Sequence, residues 1–162
     1  ALIFVAAAVN VLVSILLGGG MSPRLFQRVR EELGLAYAVF TFQSFHADTG
    51  LHGVYVGTSP ETAERAAEAI REELRRVAGE GIPAAELEAG KRQLKGQVTL
   101  SLESVSARMY RAAATELYGE PYRTLDDLLA RIEAMSAESV AEVCRDFFAP
   151  ERQTVLTLGP NA

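Results

Sequence analysis

The chain opens on a run without a single charged side chain, Ala1 to Leu17, and its first charge is Arg24. Such a run can be the core of a signal peptide, a membrane span or a buried helix. A signal peptide needs a basic segment ahead of its apolar core, and here none precedes it. A span needs about twenty apolar residues, and Asn10 and Ser14 interrupt this one. The pattern therefore predicts a buried helix. Asn10 and Ser14 stand at i and i+4 on one side of it, a side expected to meet solvent or another subunit. Because the run starts inside hydrophobe with no cap, the chain reads as a piece of something longer.

Gly18, Gly19 and Gly20 end the run. Without β-carbons the backbone there can take positive φ and come close to another chain. Ser22 and Pro23 restart a helix as N-cap and first-turn proline. Leu25, Val29 and Leu33 share its inner face, while Arg24, Arg28, Glu31 and Glu32 fall elsewhere and Phe26 and Arg30 occupy a flank. Gly34 is placed to close the helix and Tyr37 to open a strand.

Tyr37 to Ala47 and Leu51 to Thr58 are rich in aromatic and β-branched residues around Asp48-Thr49-Gly50, which predicts an antiparallel hairpin. Phe40, Phe42, Gln43 and Phe45 do not alternate cleanly, so a bulge or a strand covered on both faces is expected. Thr58-Ser59-Pro60-Glu61 begins a helix to about Ala78, with Ala63, Ala66, Ala67, Ile70, Leu74 and Val77 inward. Leu87, Leu94, Val98, Leu102, Val105 and Met109 predict one long helix from about Ala84 to Tyr118. Thr124 and Ser136 cap two shorter helices, and Gln153 to Gly159 reads as a last strand. Strands and helices in separate blocks argue α+β: a two-layer sandwich, an antiparallel-rich sheet with helices packed on one face. Three strands are few for so many helices, and a further strand is expected upstream.

The 162 residues suit a single domain, 1–162. The net charge of −5 argues against a nucleic-acid surface, which needs a basic excess. Cys144 is the one cysteine and lies at an apolar helix position, where a buried inert thiol is expected. The expected location is cytoplasmic, with no membrane partner.

Few constellations carry chemistry. Gly18, Gly19 and Gly20 before a helix suggest anion binding, but neither GxxxxGK[ST] nor GxGxxG is present, and a backbone-approach loop is favoured. His46 and His52 flank the hairpin turn and could face each other with Asp48 between them. Zinc wants at least three protein ligands, so no metal is expected here. Neither HExxH nor HxxEH occurs. Arg30 and Tyr37, seven apart, read most simply as an exposed helix arginine and a half-buried strand tyrosine. The alternative is a guanidinium and a phenol at the mouth of a glycine loop, able to hold a carbonyl or the oxyanion that develops from it.

The stretch GGGMSPRLFQRVREELGLAYAV resembles the signature of the second lobe of the pitrilysin/insulinase zinc metallopeptidases, which include the mitochondrial processing peptidases. SLESVSARMYR, ELYG and FFAPERQTVLTLGP are similar to the tail of that lobe in the same order, so the resemblance covers nearly the whole chain from about Val11. It implies one of two α+β lobes closing like a clamshell. The other lobe or another subunit would carry zinc on HxxEH and a distant Glu, and this chain would bind none. Arg30 and Tyr37 match the pair that binds substrate or the tetrahedral intermediate, and Gly18, Gly19 and Gly20 would border the substrate. The implied partners are a peptide or protein substrate and the zinc-bearing lobe or subunit, with assembly into a homo- or hetero-oligomer. The rival class is a binding or scaffolding module of the same fold without chemistry.

Overall fold

A computed structural model describes residues 9–19, 23–46 and 49–159. The apolar run, from Val9 onward, is helix α1 (residues 9–19), and it forms the centre of the molecule. Every residue from Val9 to Leu17 except Val11 is buried. A helix that is apolar all round is stable only when covered on all sides. Its last turn, Ile15–Gly19, is π-helical. Asn10 and Ser14 do not face solvent as expected, since both are buried. Ser14 Oγ and Thr41 Oγ1 lie 2.7 Å apart, and Thr41 Oγ1 donates to the Ser14 carbonyl at 3.0 Å. That side of α1 is committed to the sheet.

Helix α2 (residues 24–32) follows, π-wound over Phe26–Glu32. Leu25 and Val29 are fully buried and Leu33 packs against the core, as their spacing predicts. Gly34 ends the helix at φ 60°, where a residue with a β-carbon is disfavoured.

Strands β1 (Ala38–Phe45) and β2 (Gly50–Gly57) pair antiparallel in an unbroken register from Ala38↔Gly57 to Phe45↔Gly50. The expected bulge is absent. The irregular pattern comes from aromatic residues on the open face: Phe40, Phe42 and Tyr55 are exposed, while Val39 is buried and Thr41, Gln43 and Phe45 are half-buried. Phe40 and Tyr55 stack across the strands at 4.9 Å, a cross-strand contact that stabilises a pair without burial.

Helix α3 (Ala63–Glu80), entered through a 3-10 turn at Pro60–Thr62, buries Ala66, Ala69, Ile70, Leu74 and Val77, with Glu73 among them. Gly81 at φ 75° stops it. The expected long helix is two. Helix α4 (Ala84–Ser101) gives way to three short-range backbone bonds, Leu102 N to Thr99 O, Glu103 N to Leu100 O and Ser104 N to Ser101 O. Ser104 Oγ then accepts from Ala107 N and caps α5 (Val105–Leu117). Leu87 and Leu94 are buried, but Val105 and Met109 are exposed, so the stripe stops where the helix breaks. At Gly90, α4 passes so near α1 that a β-carbon would lie 2.7 Å from Leu16 Cδ2.

Helices α6 (Leu125–Glu133) and α7 (Ala137–Phe148) begin with reciprocal capping boxes, Thr124 with Asp127 and Ser136 with Ser139. Helix α7 lies against α3, and α6 against α4. After a 3-10 turn at Pro150–Arg152, the expected strand Gln153 to Gly159 does not form: Gln153 is extended, but the segment joins no ladder among the described residues. A ladder needs a neighbour, and among the described residues the sheet has two strands. Leu156 and Leu158 in this segment are 92% and 98% exposed. The fold is α+β as expected, with helices on one face of the sheet. No helix among the described residues is long and apolar enough to cross a membrane.

Candidate functional site

Arg30 sits near the end of α2 and Tyr37 just ahead of β1, joined by a link whose backbone is held at Leu33, Leu35 and Tyr37. The Leu33 amide donates to the Arg28 carbonyl at 3.2 Å and the Leu35 amide to the Val29 carbonyl at 2.9 Å. Leu35 is buried, and its carbonyl accepts from Thr58 Oγ1 at 2.5 Å. The Tyr37 amide donates to the Gly57 carbonyl at 3.0 Å, which extends the ladder by one bond. Arg30 on its helix and Tyr37 at the strand entry are thus joined by tethered backbone, as a binding site requires.

Both side chains stand open. Tyr37 is 71% exposed rather than half-buried, and its hydroxyl has no hydrogen-bond partner among the described residues. Its ring is nonetheless placed. It lies over Gly57, where a β-carbon would come within 2.6 Å of Tyr37 Cζ and 2.8 Å of its hydroxyl oxygen. The Arg30 guanidinium lies 4.7 Å from the centre of the Phe26 ring, a cation–π contact, and is 3.9 Å from Glu31. The π-winding of α2 sets which way Arg30 leaves the helix, and π-turns of this kind recur at functional positions.

Gly18 has a packing reason for its identity. A β-carbon there would lie 2.5 Å from the Thr41 backbone nitrogen, so α1 can meet β1 only through glycine. Gly19 is exposed and its carbonyl accepts from Gln93 Nε2 at 3.4 Å. Gly20, and the Ser22 expected to cap α2, lie outside the described residues.

A feature the sequence reading missed stands at the start of α2. The Arg24 fork donates through Nε and Nη2 to the two oxygens of Glu86, each at 2.7 Å, and through Nη1 to Glu73 at 3.0 Å. Glu73 is nearly sealed from solvent, and its other oxygen pairs with Arg76 at 2.7 Å. Hydrogen bonding to Glu86, joined by Glu73, raises the Arg24 pKa beyond its ordinary value against the opposing cost of burial. Partners 49 and 62 residues away leave no local signal.

The two histidines do not face each other. His52 opposes Gln43 on the inner side of the hairpin and meets the edge of Phe148 at 5.0 Å. His46 is exposed, with Nε2 3.3 Å from Ser44 Oγ. Burial lowers the His52 pKa to about 4, so its ring is neutral. Among the described residues no three potential ligands gather, and the described groups around His46 and His52 do not make a zinc site. Cys144 is buried, and loss of solvation pushes its thiol up to about 12, which leaves little thiolate for chemistry.

Residues 6–94 match the family model described as the peptidase M16 inactive domain. The chain belongs to that family, which bears out the resemblance carried by its glycine-loop and helix signature. It is 39% identical over 135 residues to the uncharacterized zinc protease YmxG of Bacillus subtilis, covering 83% of this chain and 33% of that protein. An uncharacterized zinc protease of Streptomyces coelicolor is 41% identical over 144 residues, covering 89% and 31% respectively. The chain thus spans about a third of the length of these curated relatives. Among solved structures, the peptidase M16 inactive domain from Pseudomonas fluorescens superposes with a TM-score of 0.76 at 24% identity, over 87% of this chain and 34% of that one. An inactive peptidase domain from Bordetella parapertussis does so with 0.78 at 17% identity, over 99% and 86%. At such identities the likeness establishes the fold alone.

Proposed function

We propose that this chain is the lobe of a zinc-dependent endopeptidase that carries no metal, and that Arg30 and Tyr37 act on a peptide held at a metal centre on another lobe or subunit. In this reading the Tyr37 hydroxyl donates to the oxygen of the scissile carbonyl as it gains negative charge. Arg30 supplies a charge-assisted hydrogen bond to a substrate carbonyl. The backbone of Gly18, Gly19 and Gly20 borders the peptide. The metal chemistry lies outside this chain, and what its residues contribute is orientation and stabilisation of charge. The partners are therefore a peptide substrate and the zinc-bearing lobe or subunit, in a larger assembly.

The reading is carried by an exposed phenol that has no hydrogen-bond partner among the described residues and is held over Gly57, at the far end of a short link from the helix that bears the exposed Arg30. A tyrosine kept for packing would bury its ring, whereas a donor awaiting a charge in the transition state must stay open until substrate arrives.

The test is steady-state kinetics of Arg30→Ala and Tyr37→Phe in the complete zinc-loaded peptidase, beside their melting curves. Tyr37→Phe should lower kcat on the order of 10² to 10³ with the fold intact, the range for loss of one such donor. Arg30→Ala should also raise KM. Unchanged turnover, or a loss accounted for by unfolding, would return both residues to a structural role.

A further inference from the structure

We infer that Arg24 is a positioning residue for Arg30, fixing the rotation of α2 so that the Arg30 guanidinium reaches the substrate. The inference rests on the role proposed above for Arg30.

Helix α2 covers residues 24–32 and is π-wound over Phe26–Glu32. A helix so short has little stability of its own, so its placement comes from its contacts. Leu25 and Val29 bury its inner face. Apolar burial is non-directional, so it sets how close α2 lies to the core and leaves some freedom to roll about its axis. Arg24 removes that freedom. Its guanidinium makes two parallel bonds at 2.7 Å to Glu86 on α4 and a third at 3.0 Å to Glu73 on α3. Glu73 is in turn fixed by Arg76 at 2.7 Å. A planar fork held at three donors specifies an orientation in a way that a lysine ammonium cannot.

The energetics point the same way. A partly buried ion pair gives little net stability once desolvation is counted, so its main consequence here is geometric. The backbone between Arg24 and Arg30 is helical throughout, so rotation at one end is felt at the other. Misplacing a catalytic group by about 1 Å can cost on the order of 10²-fold in rate, which makes such a lever consequential.

The experiment uses the complete zinc-loaded peptidase and a short internally quenched fluorogenic peptide, at a temperature well below the lowest melting point in the set. Arg24→Lys and Glu86→Gln are each made alone and together with Arg30→Ala. With Arg30 present, each should lower kcat/KM on the order of tenfold. In the Arg30→Ala background each should change it by less than about twofold, because the group being positioned is gone. Amide hydrogen exchange gives a second readout: in Arg24→Lys the Leu33 and Leu35 amides should exchange faster, while the Tyr37 amide, bonded to Gly57, should not change. Equal losses in both backgrounds, or unchanged kcat/KM and exchange, would overturn the inference and leave Arg24 a stabilising residue. If Arg30→Ala alone leaves kcat/KM intact, the proposed role of Arg30 fails first and this inference falls with it.

Discussion

The ring of Tyr37 occupies the space that a β-carbon on Gly57 would need, with Cζ 2.6 Å from that position. Gly57 therefore works as the seat of an exposed phenol, and its backbone carbonyl holds the Tyr37 amide as well. The relationship separates placement of the hydroxyl from its presence. Gly57→Ala keeps every donor but displaces the far end of a side chain that is mostly in solvent, so stability should fall by less than about 1 kcal/mol. Turnover in the complete peptidase should nevertheless fall toward the level of Tyr37→Phe. Kinetics and a melting curve on one preparation check this, and normal turnover would show that the ring position does not matter.

Gly18 and Gly19 should respond differently to the same change. A β-carbon on Gly18 meets the Thr41 backbone at 2.5 Å, and a backbone atom cannot swing aside. Gly18→Ala should cost about 1–3 kcal/mol through overpacking. A β-carbon on Gly19 would lie 3.5 Å from the Ser14 carbonyl oxygen, an ordinary contact, so Gly19→Ala should leave stability nearly unchanged. Urea denaturation of the two variants measures the contrast, and equal destabilisation would contradict the packing of α1 on β1.

The stability of the chain should depend on pH through His52. Burial lowers its pKa in the fold to about 4, below the ordinary value of 6.5. Between those values the unfolded chain binds a proton that the folded chain refuses, so stability rises with pH across that window. The contribution is complete above about pH 6.5, is lost as pH falls toward 4, and amounts to about 3 kcal/mol. His52→Phe, which keeps an aromatic ring against Phe148, should flatten that part of the profile. Denaturation midpoints from pH 4 to 7 provide the check, and an unaltered slope in the variant would place the titration elsewhere.

What the sequence disclosed follows from the range of each signal. Capping residues act within one helical turn, which is why Thr124, Ser136 and the Gly34 stop were all readable. The family was readable as well, through a resemblance in the stretch from the glycine loop to Tyr37 that the family match bears out. Ser104, also a cap, was passed over because an apolar spacing ran across it, although that spacing no longer marks buried positions beyond Leu102. Phe40 and Phe42 were misread for a related reason, since aromatic residues on an open sheet face look like core. The pairing of Arg24 with Glu73 and Glu86 joins three elements, and no short window contains it. The segment Gln153 to Gly159 has the composition of a strand, but a strand is completed by a neighbour that local composition does not specify.

In the proposed role, Tyr37 binds the transition state more tightly than it binds substrate. The direct measurement compares wild type and Tyr37→Phe in the complete peptidase for two ligands of one sequence: an uncleaved peptide, and a phosphinic peptide whose tetrahedral oxygens imitate the reacting carbonyl. If Tyr37 donates to the developing oxyanion, the variant should lose on the order of 10² in affinity for the phosphinic peptide and only a few-fold for the uncleaved one. Equal losses for both ligands, or no loss for either, would contradict the account.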